Sequence, residues 1–221
     1  MSSHAYPCRF DSGLVRRIIL IVAAIALVAA CGSKAKEEAL PPGSMIVALG
    51  DSLTAGAGVA PEEAWPDLLA SRTGWVVVNG GVSGDTSAAA LLRLPALLEE
   101  HSPVLVLVAL GGNDMLRRVP QAETIANLGE MLAMIKAHGA KPVLLATPKP
   151  SVAGAAFQNL SAAEFYSGVA EAHQVPLIED AIAEVLSDPQ MKGDPLHPNA
   201  AGHAQLAQKI FDALQAIGYA G

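Results

Sequence analysis

Val104-Leu105-Val106-Leu107-Val108-Ala109-Leu110 runs straight into Gly111-Gly112-Asn113-Asp114. An unbroken apolar run shows no alternation, so a strand here must bury both faces, and the glycines then end it. The same grammar recurs on either side. Met45–Leu49 precedes Gly50-Asp51-Ser52-Leu53, and Trp75–Val78 precedes the glycine-rich turn Gly80-Gly81-Val82-Ser83-Gly84-Asp85. Pro142–Ala146 leads into a loop from Thr147, and Val175–Ile178 is a short fifth run. Helical stretches separate these strands. They are Pro61 to Ser71, Thr86 to Glu100 with a kink expected at Pro95, Thr124 to His138 stopped by Gly139, Ser161 to His173, and Ala200 to Ile217. Strands buried on both faces that alternate with helices predict an α/β fold with a parallel sheet covered on both sides. Ligands of such sheets lie beyond the carboxyl ends of the strands, so the turns there are where chemistry belongs.

Composition fits one core-bearing domain. The chain has 221 residues, 52% hydrophobic, 16% charged and 4% aromatic. That size buries a core without disulfides or a structural metal. A net charge of −7 argues against nucleic acid as a partner, since binding phosphates needs a field of Lys and Arg. The glycine-rich turns match neither G-x-x-x-x-G-K-[ST] nor G-x-G-x-x-G, which disfavours a nucleotide site.

The N-terminal part reads as a targeting segment. Arg16 and Arg17 precede an apolar run from Ile18 to Ala30 that ends at Cys31. The run falls short of the roughly 20 residues a membrane-spanning helix needs. A basic flank, a short apolar core and small residues at its end mark a secretory signal. Val28-Ala29-Ala30-Cys31 resembles the bacterial lipoprotein signal, in which the chain is cut before the Cys and that Cys is lipidated. Residues 1–30 are therefore expected to be a signal peptide, 31–44 a lipidated Cys with its tether, and 45–221 the folded domain. An uncleaved anchor or a buried helix is the plainer alternative. Gly32, not Asp, follows Cys31, which the resemblance associates with outer-membrane sorting in the bacterial cell envelope, facing the periplasm. One acyl chain anchors only marginally, so the full modification with several chains is expected.

The turns carry the residue types that serine hydrolysis needs: a nucleophile, a base, a group that orients the base, and oxyanion donors. Ser52 follows the first strand, although Ser in that place commonly caps a helix. Asp194-Pro195-Leu196-His197 sets a carboxylate three residues before an imidazole, near enough to fix its tautomer. Asn113 offers a side-chain amide and Gly84 an unobstructed backbone N–H. Taken singly, each is ordinary turn chemistry. His203 lies six residues beyond His197, which is not zinc-pair spacing, and reads as a solvated or packing histidine. Asp51 and Asp114 read as loop scaffolding.

Taken together, these blocks resemble the SGNH or GDSL hydrolases. Gly50-Asp51-Ser52-Leu53, Gly84, Gly111-Gly112-Asn113-Asp114 and Asp194-Pro195-Leu196-His197-Pro198-Asn199 match that family's four blocks in order. Asn79 to Ser87 and Arg93-Leu94-Pro95-Ala96-Leu97-Leu98 look most like its bacterial thioesterase I/lysophospholipase L1 (arylesterase) group. The resemblance implies a flavodoxin-like three-layer α/β/α fold whose five-stranded parallel sheet has the order 2-1-3-4-5. It implies Ser52 as nucleophile, His197 as base and Asp194 orienting His197, with the Ser52 and Gly84 N–H groups and the Asn113 amide as the oxyanion hole. It implies neither metal nor cofactor, no obligate protein partner, and an acyl-ester substrate such as a lysophospholipid, an acyl thioester or an aryl ester, with carbohydrate deacetylation a further option.

The loop from Thr147 to Phe157 departs from the closest group. Its small apolar residues Val152–Ala156 are expected to border an acyl pocket, with bulk at Ala155 shortening the preferred chain. The rival from another class is a lipoprotein that binds acyl or glycan ligands without catalysis. Labelling of Ser52 by a fluorophosphonate separates the two.

Overall fold

The computed structural model describes residues 38–150 and 159–221. The targeting segment with Cys31, and the Val152–Ala156 stretch with Ala155, lie outside the described residues. Strands β1 (Met45–Gly50), β2 (Val76–Gly81), β3 (Leu105–Ala109), β4 (Lys141–Leu145) and β5 (Leu177–Ile178) form one sheet. Its order is β2-β1-β3-β4-β5 and the pairs given are all parallel. Here the implied order stands in the structure.

The apolar runs are explained by two cores, one on each face. Side chains alternate across a strand. Ile46, Ala48, Leu105, Leu107 and Val143 therefore share one core, and Val47, Leu49, Val106, Val108 and Leu144 the other. The first core is closed by α2 (Trp65–Thr73), α7 (Ala181–Ser187) and α8 (Ala200–Ile217), through Leu69, Val185, Leu206 and Ile210. The second is closed by α3 (Ser87–His101), α5 (Gln121–Ala137) and α6 (Phe165–His173), through Leu94, Leu128, Leu132 and Tyr166. Burying each such side chain contributes about 1.5–3 kcal/mol. Pro95 sits inside α3 and is exposed.

Three short helices were not legible as elements: α1 (Ser52–Ala55), α4 (Gly112–Leu116) and α7. The first two begin inside turn-like sequence, because a glycine-rich or Asp-Ser turn can wind directly into a helix. The second strand is also longer than its apolar run. Gly80 and Gly81, read as turn, pair with Leu49 and Gly50. The reason is close approach: a Cβ on Gly81 would lie 2.2 Å from the Ala55 backbone nitrogen, and one on Gly50 would lie 2.0 Å from Thr54 Oγ1. Glycine at both strand ends lets α1 pack directly over them. Gly81→Ala is therefore expected to destabilise the protein by about 3 kcal/mol, at the upper end of overpacking, as read by chemical denaturation.

Candidate active site

Asp51, not Ser52, caps the helix after β1; its side chain accepts the Leu53 N–H at 3.0 Å. The capping reading of Ser52 is thereby corrected. Ser52 opens α1 with its hydroxyl free for other work, and Gly56 ends the helix at φ +80.

The loop carrying the last block is shaped by its own backbone. Asn199 caps α8 by accepting the Gly202 N–H at 2.9 Å, and its Nδ2 donates back to Gln190 O at 2.8 Å. Gly193 N–H donates to His197 O at 3.0 Å. Within this clamp, Asp194 Oδ1 accepts the Leu196 and His197 N–H groups at 2.7 and 2.9 Å. Its Oδ2 lies 2.8 Å from His197 Nδ1, and His197 Nε2 lies 2.9 Å from Ser52 Oγ. A carboxylate can only accept, so Nδ1 carries the proton and Nε2 is left to accept from the Ser52 hydroxyl. The hydrogen bond from His197, backed by the Leu196 N–H, holds the Asp194 carboxyl below its ordinary value. The side chain of Asp194 is 52% exposed, whereas that of His197 is 23% exposed. The carboxylate end of the relay is wet.

Asn113 lies in the first turn of α4. The buried Asp114 beside it accepts the Ser87 N–H at 2.8 Å and the Ser87 hydroxyl at 2.5 Å. This ties α4 to the start of α3, which is the scaffolding expected of Asp114. Asn113 Nδ2 donates to Asp85 O at 2.9 Å and to Asp51 Oδ2 at 3.2 Å. Gly84 has φ +84, and a Cβ there would meet Arg117 Nη2 at 3.3 Å. Arg117 donates to Gly84 O at 2.7 Å, fixing that peptide. Arg93 went without a role at the sequence level. Its Nε meets Asp85 Oδ2 at 2.7 Å and its Nη2 donates to Gly50 O at 3.0 Å, so α3 ties the end of β1 to the turn after β2. No local pattern signals a contact across so many residues.

Ser52, Gly84, Asn113 and His197 all border one cavity of about 620 Å³ at the carboxyl end of the sheet. Leu53, Leu116, Leu160, Leu186 and Leu196 make much of its wall apolar. The structure thus brings Ser52, Asp194, His197, Gly84 and Asn113 into one neighbourhood. Among the described residues no group of His, Cys, Asp or Glu gathers to hold a metal.

Burial pushes the Tyr166 hydroxyl up, and two further buried groups bear on acid stability. Burial pushes the Asp51 carboxyl up to about 6. Burial also pushes His203 down to about 4; it is fully buried, its Nδ1 accepts the Trp65 N–H at 3.3 Å, and its Nε2 has no partner among the described residues. Of its two readings, packing is the one realised. The signs oppose each other. Neutral His203 contributes stability that is present above pH 6.5 and lost as pH falls through 4. Neutral Asp51 contributes stability that is present below pH 3.8 and lost as pH rises through 6. His203→Asn keeps an acceptor for Trp65 and removes only the first window. It is expected to unfold with up to about 3 kcal/mol less acid sensitivity between pH 7 and 4 than wild type, read by urea titrations at several pH values.

Comparison with known proteins follows the same lines. The pattern of the GDSL-like Lipase/Acylhydrolase family matches residues 48–205. The chain belongs to that family. As a GDSL-type hydrolase it is 39% identical over 177 residues to "Thioesterase 1/protease 1/lysophospholipase L1" of Escherichia coli, covering 78% of this chain and 84% of that one. It is 35% identical over 175 residues to "Arylesterase" of Vibrio mimicus, covering 76% and 87%. The crystal structure of TesA superposes with a TM-score of 0.71 at 34% identity, over 79% of this chain and 99% of that one. Five parallel strands in this order between helical layers are thus the GDSL hydrolase fold, and the enzyme class is that of a carboxylic ester hydrolase.

Proposed function

We propose that the enzyme cleaves acyl esters or thioesters through a covalent acyl-Ser52 intermediate. The observation that carries this is the relay Asp194–His197–Ser52, joined at 2.8 and 2.9 Å with the serine on the cavity wall. In this reading His197 Nε2 takes the Ser52 proton as Oγ attacks the acyl carbonyl. The oxyanion that forms is held by the Ser52 and Gly84 N–H groups and the Asn113 amide. Collapse expels the alcohol or thiol, which leaves with the proton from His197. Water, activated by the same imidazole, then releases the acid and restores Ser52.

The apolar cavity favours an acyl chain over a sugar, so the substrate class is a lysophospholipid, an acyl thioester or an aryl ester. Hydrolysis of an ester series from acetyl to palmitoyl, with Ser52→Ala alongside, tests this. Activity that rises with chain length and vanishes in the variant supports it. A folded protein inactive on all esters and thioesters favours a non-catalytic acyl- or glycan-binding lipoprotein instead.

Asp194→Ala is expected to be roughly 10²-fold milder than loss of Ser52, because water reaches the exposed carboxylate position and can still accept from His197 Nδ1. Steady-state kcat of the two variants checks it.

Export and anchoring through Cys31, with an outer-membrane location facing the periplasm, complete the proposal. The support is the sequence alone: the basic flank, the short apolar run and Val28-Ala29-Ala30-Cys31. Incorporation of labelled palmitate in bacterial cells, abolished in Cys31→Ser, is the expected result. Labelling that persists in that variant overturns it.

A further inference from the structure

The Asn113 amide has two hydrogens on Nδ2, and both are already engaged. One goes to Asp85 O at 2.9 Å and the other to Asp51 Oδ2 at 3.2 Å. An amide so occupied has no donor left for an oxyanion, so one bond must be surrendered when negative charge develops. The two acceptors are not equal. Asp85 O belongs to a turn closed by the Asp85 N–H to Val82 O bond at 3.0 Å, and the Asp85 side chain is gripped by Arg93. Asp51 makes the longer contact and borders the cavity where the substrate carbonyl would sit. Asp51 is also 2% exposed and fixed from behind, its Oδ1 accepting the Leu53 N–H at 3.0 Å. It is therefore a rigid acceptor, one residue before the nucleophile, that forces the –NH2 end of Asn113 to face the cavity and its carbonyl oxygen away.

Resting on the hydrolase reading above, we propose that Asp51 is a positioning residue for the oxyanion donor. It sets the orientation of the Asn113 amide and is the acceptor that yields one Nδ2 hydrogen to the oxyanion. No covalent bond to Asp51 forms or breaks; one hydrogen bond is exchanged for another. The carboxylate serves the Leu53 N–H with Oδ1 and Asn113 with Oδ2, whereas a shorter side chain cannot reach Asn113.

The capping role must be kept apart from the positioning role, and Asp51→Ser does so. Asp51→Ser keeps a side-chain acceptor for the Leu53 N–H but is too short for Asn113. In the full-length enzyme, with thermal unfolding measured for each, kcat and KM are read on one ester for Asp51→Ser, Asn113→Ala, and the Asp51→Ser/Asn113→Ala double variant. Asp51→Ser is expected to lower kcat by roughly 10- to 100-fold, below the full loss of a donor, with KM nearly unchanged. The double variant should be no slower than Asn113→Ala alone, since the two act through one group.

Multiplying losses in the double variant would overturn the assignment. So would an Asp51→Ser enzyme with wild-type kcat. Ser52→Ala, assayed in parallel, separates the two failures. Turnover surviving in Ser52→Ala sinks the hydrolase reading and this inference together. Turnover lost there but kept in Asp51→Ser sinks this inference alone.

Discussion

Ser52→Ala is expected to lower kcat by roughly 10⁶, His197→Ala by about as much, and the double variant by no more than either. The structure explains why the losses should not add. Ser52 Oγ and His197 Nε2 stand 2.9 Å apart, and each is useless to the other once its partner is gone. A hydroxyl without a base attacks only at the slow rate of an alcohol, and a base without a nucleophile has no proton to move. The protein should remain folded in all three. Ser52 opens a four-residue helix that Asp51 caps, and His197 sits in a loop clamped by Asn199 and the Asp194 backbone bonds. Neither side chain is part of either core. Stopped-flow or steady-state assay of the three variants, with denaturation midpoints, gives the comparison.

The second large effect is expected at Asn113. Asn113→Ala should lower kcat by about 10²–10³ and leave KM close to wild type, because in the proposed mechanism its amide meets a charge that exists only in the transition state. The residue forms part of no core, and the neighbouring Asp114 network to Ser87 and Thr124 stays in place without it. A rise in KM at constant kcat would instead mean that Asn113 binds the ground state.

How far the sequence reached can be judged from particular residues. The strands were legible because their two buried faces leave no polar alternation, as at Leu105–Ala109, where every residue is buried. Ser52, Gly84 and Asn113 are expected at strand-end turns and Asp194 and His197 in the loop before the last helix, and the structure brings these segments together. What could not be read were the long-range ties. The bond from Arg93 to Gly50 O, and that from Asn113 to Asp51, each span many residues and leave no periodic trace. The glycines were misread for a related cause. Gly80 and Gly81 look like a turn, yet they are strand residues whose missing Cβ makes room for the backbone of α1 above. His203 shows the same limit. Its spacing excluded a zinc pair, but only packing against the start of α2 shows it buried and neutral.

In the proposed mechanism Ser52 becomes covalently acylated with His197 as its base. Intact-mass and peptide mapping of the full-length enzyme after exposure to a fluorophosphonate tests it most directly. A single adduct on Ser52, absent in Ser52→Ala and formed far more slowly in His197→Ala, is the predicted result. An enzyme that hydrolyses esters while Ser52 stays unmodified, or that carries its adduct on another residue, would contradict the account.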